Sequence, residues 1–92
     1  MNELGPAGEP RETKIRRLKL RSMRRGIKEM DLILGGFAVD GLEGLSDDDL
    51  ALYDEMLSEN DHDMYQWASG QAAAPERFAA LMAHVVGQVR LR

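Results

Sequence analysis

The sequence predicts an all-α protein, a compact five-helix bundle, on three observations. Apolar residues recur at helical spacing, most clearly in the last segment. Ser46, Asn60 and Pro75 read as helix starts, and Gly26 and Gly70 as helix stops. No stretch reads as a strand. At 92 residues the chain makes one domain, and a domain of that size needs a compact core. We expect a flexible N-terminal segment over residues 1–10 and a single helical domain over residues 11–92.

The first helix is expected from Glu12 to about Met23, rich in good helix formers. Ile15, Leu18 and Leu20 make a narrow apolar stripe, so its basic face should stay wet while the arginine stems cover apolar surface. Gly26 reads as a C′ glycine that takes positive φ and ends this helix, with Arg24 and Arg25 at the negative end of its dipole. The second helix, Ile27 to Val39, carries Ile27, Met30, Ile33, Leu34 and Phe37 at the spacing of a buried face. Glu29 and Asp31 fall in its first turns, where exposed N–H groups favour carboxylates. Gly35-Gly36 is costly in a helix, and implies either close approach by another helix or an early end.

Ser46 with Asp49 resembles a capping box, and Asp47 and Asp48 add favourable charge to the same turn. The third helix then points Leu50, Tyr53, Met56 and Leu57 inward. Asn60 or Asp61 caps a short fourth helix, Asp63 to about Ala68, which bears Met64, Tyr65 and Trp67 and is closed by Gly70. Pro75 at the first helical position opens the last helix. There Phe78, Leu81, Met82, Val85, Val86 and Val89 form the clearest amphipathic stripe in the chain.

Composition narrows the function. Residues are 43% hydrophobic and 30% charged, as in an ordinary globular chain. Without cysteine there is no disulfide framework, thiolate nucleophile or cysteine zinc site, and a reducing compartment fits. No apolar run approaches the roughly 20 residues that span a bilayer. With neither a secretory nor a transit-type leader visible, the expectation is a cytoplasmic protein with no membrane partner. The net charge of −4 is unevenly spread: nine of the twelve basic residues lie between Arg11 and Lys28, and none between Glu29 and Glu76. That polarity marks an interaction surface.

Candidate chemistry is thin. Ser22, Ser46, Ser58 and Ser69 sit in no nucleophile elbow, and no Gly-rich phosphate loop is present. His62 and His84 are far apart, which disfavours a metal site. The consecutive Asp47, Asp48 and Asp49 diverge around a helix turn and suit capping better than acid–base work. The basic first helix could meet phosphates, but it lacks aromatics for stacking and the rest of the chain is acidic. The alternative it leaves is a regulatory or antitoxin-like protein that binds nucleic acid or a protein partner through that helix. Trp67 reads as core first and as an interface anchor second.

The segment Arg24-Arg25-Gly26-Ile27-Lys28-Glu29-Met30-Asp31 resembles the signature of the succinate dehydrogenase assembly factors, also called flavinylation factors. Arg25, Gly26 and Glu29 match the Arg-Gly-x-x-Glu hallmark, Asp31 its extension and Leu32-Ile33-Leu34 its apolar run. Asp63 to Gly70, with Tyr65 and Trp67, is similar to the second motif of that family. The resemblance covers about residues 11 to 92; Gly35-Gly36 and Leu20 depart from the usual pattern.

The resemblance implies a five-helix bundle that binds the flavoprotein subunit of succinate dehydrogenase, in some bacteria that of fumarate reductase. It implies promotion of covalent FAD attachment to a histidine of that subunit, without catalytic residues in this chain. No cofactor is expected to bind this chain stably, since the FAD is held by the partner. The free protein is expected to be a monomer. Partner contact falls to Arg24, Arg25, Gly26, Glu29 and Asp31, with Tyr65 and Trp67 as a secondary contact. In this reading Arg25 makes a charge-assisted bond to the flavoprotein, Gly26 lets the backbones approach, and Glu29 contacts the partner or orders Arg25.

Overall fold

In a computed structural model, which describes residues 8–89, the chain folds into helices α1 (Arg11–Met23), α2 (Lys28–Ala38), α3 (Asp47–Met56), α4 (Asp61–Ser69) and α5 (Glu76–Val89). A single 3-10 turn, Leu42–Gly44, joins α2 to α3. The all-α, five-helix expectation holds, with no strand among the described residues. Most of the segment expected to be flexible lies outside the described residues; of its described part, Glu9 is paired with Arg17.

The caps work by local chemistry. Ser46 Oγ accepts the N–H of Asp49 at 3.1 Å, as the sequence implies. Asn60 Oδ1 accepts from His62 and Asp63 at 2.8 and 3.3 Å, so α4 begins at Asp61, two residues earlier than expected. Gly70 takes φ 82°, and the N–H of Gln71 returns to the carbonyl of Gln66 at 2.9 Å. Pro75 precedes the first helical residue, Glu76, and its carbonyl accepts from Phe78 at 2.9 Å.

α2 lies at the centre of the bundle, packed against α1, α4 and α5, while α3 bridges α1 and α5. Its buried face is Met30, Ile33, Leu34, Phe37 and Ala38. These meet Leu18 of α1, Leu50, Tyr53 and Met56 of α3, Met64 of α4 and Phe78, Leu81, Met82 and Val85 of α5. Leu20 does not join that core. It is 59% exposed, because a stripe this narrow leaves room for Leu18 but not for a side chain two residues on.

The 3-10 turn was not legible in advance. Its entry is Gly41, whose N–H bonds the carbonyl of Phe37 at 2.8 Å. A Cβ there would lie 2.5 Å from the Phe37 ring and 2.6 Å from its carbonyl oxygen, so only glycine fits. Gly35 and Gly36 behave differently. A Cβ at Gly35 would sit 3.8 Å from the Ser22 carbonyl oxygen and one at Gly36 3.7 Å from Val89, both ordinary contacts, and α2 continues to Ala38. Neither suggested reason for this pair, close approach or an early end, is needed.

The basic face of α1 is not the wet face expected. Arg17 grips Asp54 through two bonds, of 3.0 and 2.7 Å, and also Glu9. Arg21 shares Asp54, Lys19 pairs with Glu43, and Arg11 with Asp47. Asp54 is 3% exposed, so these arginines offset the cost of burying a carboxylate. The bond from Arg17 holds Glu9 below the ordinary carboxylate range, and the bond from Lys19 does the same for Glu43. Beside Asp54, the Tyr53 hydroxyl meets Ser22 Oγ at 2.7 Å, and Ser22 donates to the Leu18 carbonyl at 2.8 Å. No buried side-chain nitrogen or oxygen among the described residues lacks a partner.

Gly35→Ala and Gly36→Ala should each stabilise the protein by about 0.5–1 kcal/mol, read from urea unfolding, because alanine fits and favours helix. Burial, opposed by the Ser22 bond, pushes the Tyr53 hydroxyl up to about 12 from 10. The folded state therefore resists its ionisation, and stability present below pH 10 is lost as pH rises from 10 towards 12. Tyr53→Phe should cost about 1 kcal/mol at pH 8 through the lost bond, and that deficit should shrink at pH 11.

Candidate functional site

The link between α1 and α2, Arg24 to Ile27, carries Arg24, Arg25 and Gly26, and Glu29 and Asp31 follow in the first turns of α2. It is not built as expected. Gly26 does not take positive φ; the residue ending α1 is Arg24, at φ −126° and ψ 64°. The link is instead held by two carboxylates from later helices. Asp31 of α2 accepts the backbone N–H of Arg25 at 2.6 Å. Asp61, the first residue of α4, accepts the backbone N–H of Gly26 through Oδ2.

The other oxygen of Asp61 receives the Arg25 guanidinium, from Nε at 2.9 Å and from Nη2 at 2.6 Å. The same guanidinium reaches two helix ends. Nη2 donates to the carbonyl of Leu57 at 2.8 Å and Nη1 to that of Arg21 at 3.3 Å. Last-turn carbonyls have no partner within their own helix, so Arg25 caps α1 and α3 at once while pairing with the start of α4. The pair is shielded: the Arg25 and Asp61 side chains are 10% and 11% exposed.

Of the predicted contact residues, Arg25 and Asp31 therefore point their hydrogen bonds inward. Arg24, Gly26 and Glu29 are exposed, and the side chains of Arg24 and Glu29 have no bond to another described residue. Beside them lies a shallow recess of about 450 Å³ lined by Leu20, Arg21, Arg24, Arg25, Leu57 and Asp61. Leu20, Met23 and Leu32, all at least half exposed, give this end of the α1–α2 pair an apolar surface.

Tyr65 and Trp67 are half-buried and belong elsewhere. The Trp67 ring stacks on Phe78 with centroids 6.2 Å apart. It lines a separate groove of about 800 Å³ between the end of α4, the following alanine-rich loop and α5. His62 is exposed, and the exposed His84 sets its ring edgewise to Phe37. Among the described residues no three His, Asp or Glu side chains gather where a metal ion could be held.

Sequence reasoning missed Asp61, which it treated only as a possible cap. The signal was present: Asn60 and Asp61 are both capping types, one helix start uses one of them, and the other is left for a distant partner. Arg25→Ala should cost about 2–3 kcal/mol in urea unfolding, because it strands a shielded carboxylate and two carbonyls. Arg24→Ala, with no bond to lose, should change stability by less than about 0.5 kcal/mol.

The family model described as flavinator of succinate dehydrogenase matches residues 16–89. The succinate dehydrogenase assembly factor 2, mitochondrial, of Meyerozyma guilliermondii is 52% identical over 62 residues, covering 67% of this chain and 46% of that protein. Its counterpart in Schizosaccharomyces pombe is 41% identical over 70 residues, covering 76% and 50%. The assembly factor 2-B, mitochondrial, of Drosophila mojavensis is 39% identical over 72 residues, covering 76% and 46%. The chain thus spans about half the length of the curated relatives it matches. Their names overturn the cytoplasmic expectation, which rested on seeing no targeting segment; such a segment is separate from the folded domain, and its absence from this span says nothing of compartment. From the hallmark turn to the last helix, this chain belongs to the flavinator of succinate dehydrogenase family.

Proposed function

We propose that this protein is an assembly factor for succinate dehydrogenase. It docks onto the flavoprotein subunit through the exposed side of the α1–α2 turn and promotes covalent attachment of FAD there. The observation that carries this reading is the family match over residues 16–89, which includes the turn, α2 to α5 and most of α1.

In this reading the chain brings no catalytic constellation of its own. Its contribution is positional. Joining a histidine nitrogen to the flavin requires the two to be held at near-contact distance, and fixing reactants in that geometry can supply a large part of an acceleration. A rigid binder achieves it by favouring the partner conformation in which they meet. FAD is held by the flavoprotein and not by this chain, which has no dinucleotide fingerprint.

The alternative of a nucleic-acid binder loses support. Arg11, Arg17, Lys19, Arg21 and Arg25, five of the nine basic residues between Arg11 and Lys28, are already paired with carboxylates of this chain. Few cations remain to release counterions from a phosphate backbone.

Co-expression with the flavoprotein subunit tests the proposal. Covalent flavin is read as fluorescence in denaturing gels. Gly26→Arg, which drives a long side chain into the turn, and Glu29→Ala, which removes an exposed carboxylate without an internal bond, should each lower it. Loss of one central interface contact is worth about 1–2 kcal/mol, roughly a fivefold to thirtyfold weaker complex. Undiminished flavin attachment with both variants would sink the assignment of the turn.

A further inference from the structure

We infer that Asp61 is a positioning residue for the docking turn, and that Arg25 acts inward through it. The partner then meets Arg24, Gly26 and Glu29 on a turn whose shape is set from behind by α4. This inference rests on the docking role proposed above and assigns parts within it.

Four observations lead here. Asp61 is not needed by its own helix, because Asn60 provides the cap to His62 and Asp63. Both carboxylate oxygens are instead spent on the turn, Oδ1 on the Arg25 guanidinium and Oδ2 on the Gly26 N–H. The link has few helical bonds of its own, and the consecutive N–H groups of Arg25 and Gly26 both end on carboxylates, Asp31 and Asp61. Lastly, a Cβ on Gly26 would lie 3.0 Å from Asp61 Oδ2, tighter than an ordinary contact. The glycine of the hallmark therefore admits the aspartate from behind.

Four of the five guanidinium N–H groups of Arg25 are held by Asp61, Leu57 and Arg21, so turning more than one of them to a partner exchanges those bonds. At 10% exposure Arg25 offers little surface without that exchange. Glu29, one helical turn on and exposed, requires no such exchange. A turn that is free to move populates the docking shape only part of the time, and apparent affinity falls by that fraction. Asp61 keeps the fraction high.

The test uses the full chain and purified apo-flavoprotein subunit of succinate dehydrogenase. Asp61→Asn preserves the side-chain volume but removes the charge and one acceptor oxygen. We expect unchanged helix content, a shifted Gly26 amide resonance with faster hydrogen exchange, and affinity lower on the order of tenfold. The double variant Arg25→Gln/Asp61→Asn, compared at equal helix content, should bind no worse than Asp61→Asn alone, because Arg25 shapes the turn and does not touch the partner. Glu29→Ala should add its own loss to either.

Several results would overturn the inference. One is a further drop in the double variant at unchanged helix content, which would put Arg25 on the partner. Another is loss of helix in Asp61→Asn, which would make the clamp a support of the fold as a whole. A third is normal affinity in Asp61→Asn while Glu29→Ala binds weakly; that leaves the docking role standing and removes only the part given to Asp61. Normal affinity in both would remove the docking role and this inference with it.

Discussion

One guanidinium ties three helix ends to the docking turn. Arg25 reaches the carbonyl of Arg21 at the end of α1, the carbonyl of Leu57 at the end of α3 and the carboxylate of Asp61 at the start of α4. Three helix ends converge on it because each has an unmet need: two have orphan carbonyls and the third brings an acceptor charge. Arginine answers all three from one planar group with several donors in fixed directions; lysine, a point charge on a flexible stem, could not span them. The position of the exposed turn follows from this arrangement. Its outer side is open because its inner side is fully engaged.

The same logic extends along α1. The asymmetry of charge in the sequence, a basic front before an acidic middle, is largely consumed within the molecule. α1 lies against α3 with Arg17 and Arg21 closing on Asp54, while Tyr53, the neighbour of Asp54, closes on Ser22. Adjacent residues on α3 thus offer α1 a carboxylate and a hydroxyl, and α1 presents two arginines and a serine to match. A purely apolar interface would allow α1 to slide along its axis; these paired polar contacts suit one register. The outward Arg24 and Glu29 are then among the charges left for a partner.

What was legible from sequence was local. The Ser46 cap, the Gly70 stop and the stripe of α5 depend on residues within about one or two helical turns, so spacing alone reveals them. The burial of Met30, Ile33, Leu34 and Phe37 was readable for the same reason. Arg25 was placed at the end of α1 but its inward acceptor was not seen, because Asp61 lies 36 residues away and no periodicity connects the two. Gly26 was recognised as special for a mistaken reason: the usual use of a glycine after a helix is positive φ, whereas here it makes room for Asp61. Gly41 escaped notice although its need is local, a bend onto Phe37 four residues earlier, because no side-chain spacing marks that bend.

These misreadings share a physical origin. Sequence shows which residues are unusual at a position, while the third dimension shows what they are unusual for. Arg25 and Gly26 looked like a pair addressed to the outside, since motif residues at a helix junction commonly are. The geometry gives each of them an inward partner, and the partner is the same carboxylate. A hallmark can therefore describe how a surface is built as much as what it touches. For a protein proposed to act by position rather than by chemistry, that distinction carries weight. The effectiveness of such a binder depends on how much of the time its surface already has the shape its partner requires. Residues that hold the shape are then as necessary as those that make the contact, although they are hidden from the partner.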